Sequence, residues 1–184
     1  MERILRVSSV LIAIFFLLLP SASLGEDVKH YAALEVEKGW QALNGGDLDE
    51  ALRSFNQASI IDPSHAPAYY GKGHVYIAQD KIGLAISFFE KTIELADPPM
   101  PEAYVNLGFA LTLIGREQEG LKHYNKALSL DPMNKEAHIN LANFYCSELN
   151  GRKAWEHVRF AQKLGANISD DQLAEMKSLC PENR

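Results

Sequence analysis

Positive charge is scarce in this sequence, and what there is lies scattered. Lysines and arginines number 18 against 24 aspartates and glutamates, giving a formal net charge of −6. No basic run or basic–aromatic cluster occurs anywhere in the 184 residues. Nucleic-acid binding needs clustered Lys and Arg to neutralise phosphates, so it is not expected. Anionic membrane surfaces are a poor match for the same reason. Cysteine is almost absent, with two in the chain, and the six histidines show neither metal-ligand spacing nor a neighbouring cysteine pair. No metal is therefore expected. No serine or cysteine stands in a nucleophile motif. Gly71-Lys72-Gly73 resembles a phosphate-binding loop only in part. It lacks a third glycine and a preceding strand, and it falls inside a predicted helix, where a helix-contact glycine is the simpler reading. Neither catalysis nor a cofactor is expected.

Long apolar runs are also few. The one that occurs, VSSVLIAIFFLLL, follows MERILR with its two arginines and precedes PSASLG, which ends in small residues. Residues 1–25 thus follow the three-part plan of a secretory signal peptide. Ser23 and Gly25 put small side chains where a signal peptidase must accommodate them, so cleavage is expected after Gly25. The rival reading is an uncleaved anchor. From Val7 to Leu19 the run makes a helix of roughly 20 Å, short of the ~30 Å hydrocarbon core, and Pro20 stops it. No stable membrane insertion is expected after cleavage. Glu26 stands where a bacterial lipoprotein would need cysteine. Asn167-Ile168-Ser169 matches a glycosylation acceptor, which matters only in a eukaryotic secretory pathway.

What the sequence does contain is repetition. Nearly half of it, 47%, is hydrophobic, a composition that builds a core rather than a disordered chain. NQASIIDP (56–63) nearly returns as NKALSLDP (125–132), with EKTIELADP (90–98) between them. Gly39, Gly73, Gly108 and Ala142 share one spacing, as do Ala51, Ala85, Gly120 and Ala154. So do Phe55, Phe89, Tyr124 and Val158, and likewise Ala58, Thr92, Ala127 and Ala161. The step is 34 residues, and every ladder lengthens by one at the same place, so a single residue was inserted near Ala96. The units run 32–65, 66–100, 101–134 and 135–168.

A repeat of this size reads as two helices and two turns. PEAYVNLGFALTLIG gives a first helix opening on Pro101, Gly115 a corner, and EQEGLKHYNKALSL a second helix that Pro132 cannot continue. Asp47 suits the N-cap of the second helix in the first unit. The small ladder residues mark where paired helices cross closely, and the Phe55 ladder fills the space beside the crossing. Residues 26–31 form a short N-terminal extension. SDDQLAEMKSLC reads as a capping helix over 169–180, N-capped by Ser169, with an apolar stripe of Leu173, Met176 and Leu179. Residues 181–184 read as a loose tail.

AYVNLGFALTLIG followed by LKHYNKALSLDP resembles the tetratricopeptide repeat consensus, and the resemblance covers Ala32 to Ile168. Glu35 and Lys38 depart from it in the first unit, Lys72 replaces a leucine in the second, and the fourth lacks the Asp-Pro exit. The resemblance implies an all-α, right-handed superhelical solenoid whose first helices line a concave groove. Carried onto this chain, the groove is Val36, Trp40 and Leu43, then Tyr70, His74 and Ile77, then Val105 and Phe109, then Asn143. It would be apolar and aromatic at its N-terminal end and polar toward its C-terminal end. Chaperone-tail-binding members carry lysine and asparagine clamps at such positions. Val36 and Trp40 stand there instead, so the resemblance does not extend to that activity.

An exposed apolar strip implies binding. The expected function is an exported, non-catalytic scaffold that takes a protein or peptide segment in this groove. A second copy of the chain as occupant stays open, as does a role as accessory or regulatory subunit of an envelope enzyme or assembly complex. The resemblance joined to a signal peptide implies the bacterial periplasm. An oxidising compartment favours a bridge between Cys146 and Cys180. They lie 34 residues apart, the same place on adjacent first-type helices. Such axes are about 8–10 Å apart, whereas a bridge wants Cα atoms within about 7 Å, so bridging requires the terminal helix to shift inward. Free and bridged states both stay open.

Overall fold

The computed structural model describes residues 21–182, and the signal-peptide run lies outside them. Among the described residues there are nine α-helices and no strand. They are α1 (Ser21–Asn44), α2 (Leu48–Ile61), α3 (Ala66–Ala78), α4 (Ile82–Leu95), α5 (Pro101–Leu113), α6 (Glu117–Leu130), α7 (Lys135–Ser147), α8 (Gly151–Lys163) and α9 (Asp170–Leu179). No described helix is long and apolar enough to cross a membrane.

Helices α1–α2, α3–α4, α5–α6 and α7–α8 each fold back on themselves through three-residue corners. The middle residue of every corner has positive φ: Gly46 (81°), Asp80 (58°), Gly115 (76°) and Leu149 (56°). The following N–H closes each turn onto the helix it leaves, from Asp47 to Ala42 O, Lys81 to Tyr76 O, Arg116 to Leu111 O and Asn150 to Tyr145 O. These are left-handed helix exits, which glycine adopts freely and leucine only with strain. Asp47 caps α2 by accepting from Glu50 N at 2.9 Å.

Connections between pairs have four residues at 62–65 and 131–134, and five at 96–100. The inserted residue is therefore in the last of these. At two of the three Asp-Pro exits the aspartate turns the chain with its own side chain. Asp62 accepts from Ser64 N and Oγ, and Asp131 from Met133 N. Its hydrogen bonds to Ser64 hold the Asp62 carboxyl below its ordinary pKa, against the opposing effect of burial. In the fourth pair, Gly165 at φ 79° makes the exit instead.

The core is the ladder of small and large residues. A Cβ placed on Gly39 would lie 2.6 Å from the Phe55 ring, on Gly73 2.4 Å from Phe89, and on Gly108 2.7 Å from Tyr124. Each glycine thus receives the ring of its own pair's second helix. Phe55 is clasped from the other side as well, because a Cβ on Gly71 would stand 2.2 Å from it. The two glycines around Lys72 are therefore contacts for two different rings, Phe55 behind and Phe89 ahead. Where Ala142 replaces the glycine, the smaller Val158 replaces the aromatic, and both remain buried.

The two ends depart from expectation. Residues 26–31 are not a separate extension but part of α1, which runs unbroken from Ser21. At the other end, α9 carries the expected Ser169 cap, completed into a capping box by Gln172, yet none of its residues is buried. The stretch after it is tied down, because Glu182 pairs with Arg159 of α8.

Candidate functional site

Direct contacts join first helices α1 to α3 and α5 to α7, which sets them on the inner side of the stack. Of the nine groove residues expected there, two are core. Val36 is 8% exposed and packs with Phe55 and Val75, and Val105 is 5% exposed and packs with Tyr124 and Leu141. Both lie on the side of the first helix that its neighbouring helices cover. Leu43 is half-buried against the core of Val36, and Ile77 against a separate core around Ile86 and Phe89.

Trp40, Tyr70 and His74 come together. The ring centroids of Trp40 are 5.9 Å from Tyr70 and 5.2 Å from His74, and Tyr70 is 4.7 Å from His74. Beneath them lie the buried rings of Phe55, 5.3 Å from Trp40, and Phe89, 5.9 Å from Tyr70. Edge-on arrangements such as Trp40 against His74 are the favoured geometry for aromatic pairs. A residue not foreseen from the sequence completes the cluster. Asn106 on α5 donates one Nδ2 hydrogen to Tyr70 Oη at 2.6 Å and lies 3.1 Å from His74 Nε2. With Nε2 accepting, the His74 proton sits on Nδ1. Its signal in the sequence was only a polar residue in the next first helix, near Tyr70 and His74 by register.

The electrostatics keep this cluster neutral. Burial lowers the pKa of His74. Burial first, then the carboxylates of Glu102 and Glu136, push Tyr70 up to about 12, outweighing the lowering effect of Asn106. The site therefore offers flat apolar rings, a phenol that keeps its proton, and carboxylates nearby.

Phe109 does not join the strip. It is 38% exposed and makes no ring contact among the described residues. Asn143 lies farther along, on the wall of a second feature: a cleft of about 540 Å³ between α7 and α9. Ile139, Ala142 and Cys146 line one side, and Met176 and Leu179 the other. The C-terminal end of the inner face is thus more apolar than expected, because α9 brings its stripe to it without closing against it.

The cysteines lie beside this cleft. Cys180 does not continue the register of α9. It follows the helix in a non-helical conformation (φ −145°, ψ 71°) and is 1% exposed, while its carbonyl accepts from Trp155 Nε1 at 2.9 Å. Both thiols are free, with Cys146 half-buried and Cys180 buried. Burial and the neighbouring Cys180 thiol push Cys146 up to about 12.

Two further polar arrangements lie outside the inner face. Lys72, where leucine was expected, is 6% exposed, with Nζ donating to Ser59 Oγ at 2.6 Å over the rings of Tyr69 and Phe88. Burial lowers its pKa. His138 Nδ1 meets His157 Nδ1 at 2.9 Å, and His138 Nε2 faces the Pro132 carbonyl at 3.2 Å. With His138 Nε2 donating to that carbonyl, its Nδ1 accepts from His157 Nδ1. Among the described residues no group of three or more His, Cys, Asp or Glu side chains could hold a metal ion.

Comparisons with known proteins agree with this architecture. Tetratricopeptide repeat models match residues 66–98 and 101–134. Over 119 residues the chain is 30% identical to small glutamine-rich tetratricopeptide repeat-containing protein 2 of Mycosarcoma maydis, covering 64% of this chain and 33% of that protein. Over 98 residues it is 29% identical to tetratricopeptide repeat protein 28 of Mus musculus, covering 53% of this chain and 4% of that one. The chain thus spans a third or less of these two relatives. Among solved structures, YrrB, described as a TPR protein with an unusual peptide-binding site, aligns with a TM-score of 0.61 at 18% identity, over 88% of this chain and 92% of its own. That likeness concerns the fold alone.

Proposed function

The chain is a tetratricopeptide repeat protein, and from that premise we propose that it is a non-catalytic scaffold binding a segment of a partner protein along the inner face of its first helices. The observation that carries this reading is the Trp40–Tyr70–His74–Asn106 cluster, to which three successive first helices contribute. Large, rigid rings supply contact area at small entropic cost, and such anchors often dominate binding. The Tyr70 hydroxyl, already accepting from Asn106, has its own proton to donate to a peptide carbonyl. Glu102 and Glu136 favour a segment that combines apolar side chains with positive charge. The leader-like run extends the reading to an exported protein of the bacterial periplasm. A mass of the exported protein beginning at Glu26 would agree, and one retaining Met1 to Leu19 would make the run an anchor.

Partner capture from the protein's own compartment tests the binding face. Trp40→Ala should weaken capture by about 2 kcal/mol, roughly thirtyfold, with helical circular dichroism retained. Because Trp40 also touches Phe55, Tyr70→Phe is the companion: it removes one hydroxyl and leaves the packing intact. Unchanged capture in both variants would place the interaction elsewhere. Collapse of the Trp40→Ala fold would assign that ring to the core.

A further inference from the structure

We propose that the cleft between α7 and α9 is a second pocket on the inner face, taking an apolar side chain of the same partner segment that the aromatic cluster anchors, with basic residues of that segment over Glu102 and Glu136 between the two. The inference rests on the binding reading above and adds the form of the ligand. It is an extended chain with an apolar anchor at either end and positive charge between them.

The cleft belongs to the same face as the cluster. Ile139, Asn143 and Cys146, which line it, stand in the register places of Tyr70, His74 and Ile77. Phe109, in the place of His74 and Asn143, lies on the first helix between and is 38% exposed. An apolar strip therefore runs from Trp40 through Phe109 to the cleft. Its far wall is left open: no residue of α9 is buried, and Leu179 is 61% exposed beside a space of about 540 Å³. That volume falls among ligand pockets, which span about 300–1,000 Å³. Met176 in the wall is a flexible side chain that adapts to more than one apolar shape. Asn143 and Gln172 offer their amides to a peptide backbone.

The charge on this face has one sign. Over the four units, the register places of Glu102, Tyr70, Asn106, His74 and Ile77 hold the glutamates Glu37, Glu102 and Glu136 and no lysine or arginine. Lys38, Lys72 and Lys135 of the same helices stand at other places. All three glutamates are exposed, and Glu175 adds a carboxylate at the cleft. Lys135 comes within 3.9 Å of Glu136, but an exposed pair of this kind is worth little and yields to a cation of the ligand. An acidic stretch between apolar ends steers a basic segment onto the face and rejects an acidic one.

The spacing of the anchors follows from the helices. First helices α1 and α3 touch directly, as do α5 and α7. Packed axes lie about 8–10 Å apart, and roughly two and a half such steps separate α3, at the centre of the cluster, from the cleft beyond α7, about 20–25 Å. An extended chain advances about 3.3 Å per residue, which sets the two apolar side chains about six to eight residues apart.

The test selects random phage-displayed peptides, long enough to span both features, on the full chain, and measures the enriched peptides by fluorescence anisotropy. Expected are sequences with two apolar positions about six to eight residues apart and lysine or arginine between them. Met176→Glu and Leu179→Lys, each checked for helical circular dichroism, should weaken them on the order of tenfold, as should Trp40→Ala. Glu102→Lys should weaken them and flatten their dependence on salt. Alanine at one apolar position of the peptide should cost about the same and abolish its response to Met176→Glu, a double-mutant cycle that pairs that side chain with the cleft. Peptides that respond to Trp40→Ala but not to either cleft variant would overturn the second pocket and leave the inner-face reading standing. Peptides that respond to the cleft variants alone would overturn both. No enrichment, or a dimer of the protein that Glu102→Lys dissolves, would overturn the basic segment as the occupant.

Discussion

Substituting Gly108 by alanine adds one methyl group where α5 crosses α6. That Cβ would lie 2.7 and 2.9 Å from Tyr124 Cε1 and Cδ1, and 3.0 Å from the Gly120 carbonyl oxygen. Carbon atoms rest at about 3.5–4.0 Å, so the helices must part by roughly 0.8 Å or the ring must turn. The ring is buried and the third atom is backbone, so neither yields freely. Overpacking of this kind costs about 1–3 kcal/mol, and the better helix propensity of alanine returns up to about 1 kcal/mol. The net expectation is a loss of about 1–2 kcal/mol, with Gly108→Leu much worse. The fourth pair shows the remedy, since Ala142 there faces Val158. Tyr124→Val alone should cost about 3 kcal/mol through the cavity it leaves. Combined with Gly108→Ala, it should cost less than the sum of the two by about 1–2 kcal/mol, because the methyl enters the space the ring vacated. Urea unfolding followed by far-UV circular dichroism measures all three variants. Strict additivity would refute the argument that glycine and ring are one packing unit.

Two further predictions rest on other parts of the molecule. Burial holds His65, His74, His123 and His157 below the ordinary value of 6.5, and His157 is lowered further by His138 and Lys153 against the raising effect of Glu156. Folded protein therefore binds fewer protons than unfolded chain just below 6.5, so stability is full above that pH and falls as pH drops through the folded values. Melting temperature should be level above neutrality and decline on acidification from pH 6.5, and a melting temperature that rises on acidification would contradict the burial of these rings. Leu149→Gly should stabilise by about 0.5–1 kcal/mol, since relief of a left-handed leucine outweighs the added chain entropy. Chemical denaturation showing a loss would mean the corner is not strained.

The period of 34 residues determined the helix pairs, the close glycine crossings and the place of the inserted residue, and residue type at the helix starts determined the Ser169 and Asp47 caps. These follow from local rules: a ring and a glycine recurring in step must face each other in each of the three units that carry both, and Asp-Pro ends a helix wherever it occurs. The corner ladder at 46, 80, 115 and 149 was equally regular in position. Only two of its members are glycine, so composition hid it. Tertiary structure alone decided the rest. Trp40, His74 and Phe109 share a register, yet only the first two touch, because the offset between neighbouring pairs depends on the volumes packed between them. That same offset sinks Val36 and Val105 into the core and brings Asn106, from another part of its helix, onto Tyr70. At the C-terminal end there is no further repeat to impose a register. The position of α9, the cleft beneath it and the burial of Cys180 are set there by long-range contacts of Trp155 and Arg159 that no local pattern encodes.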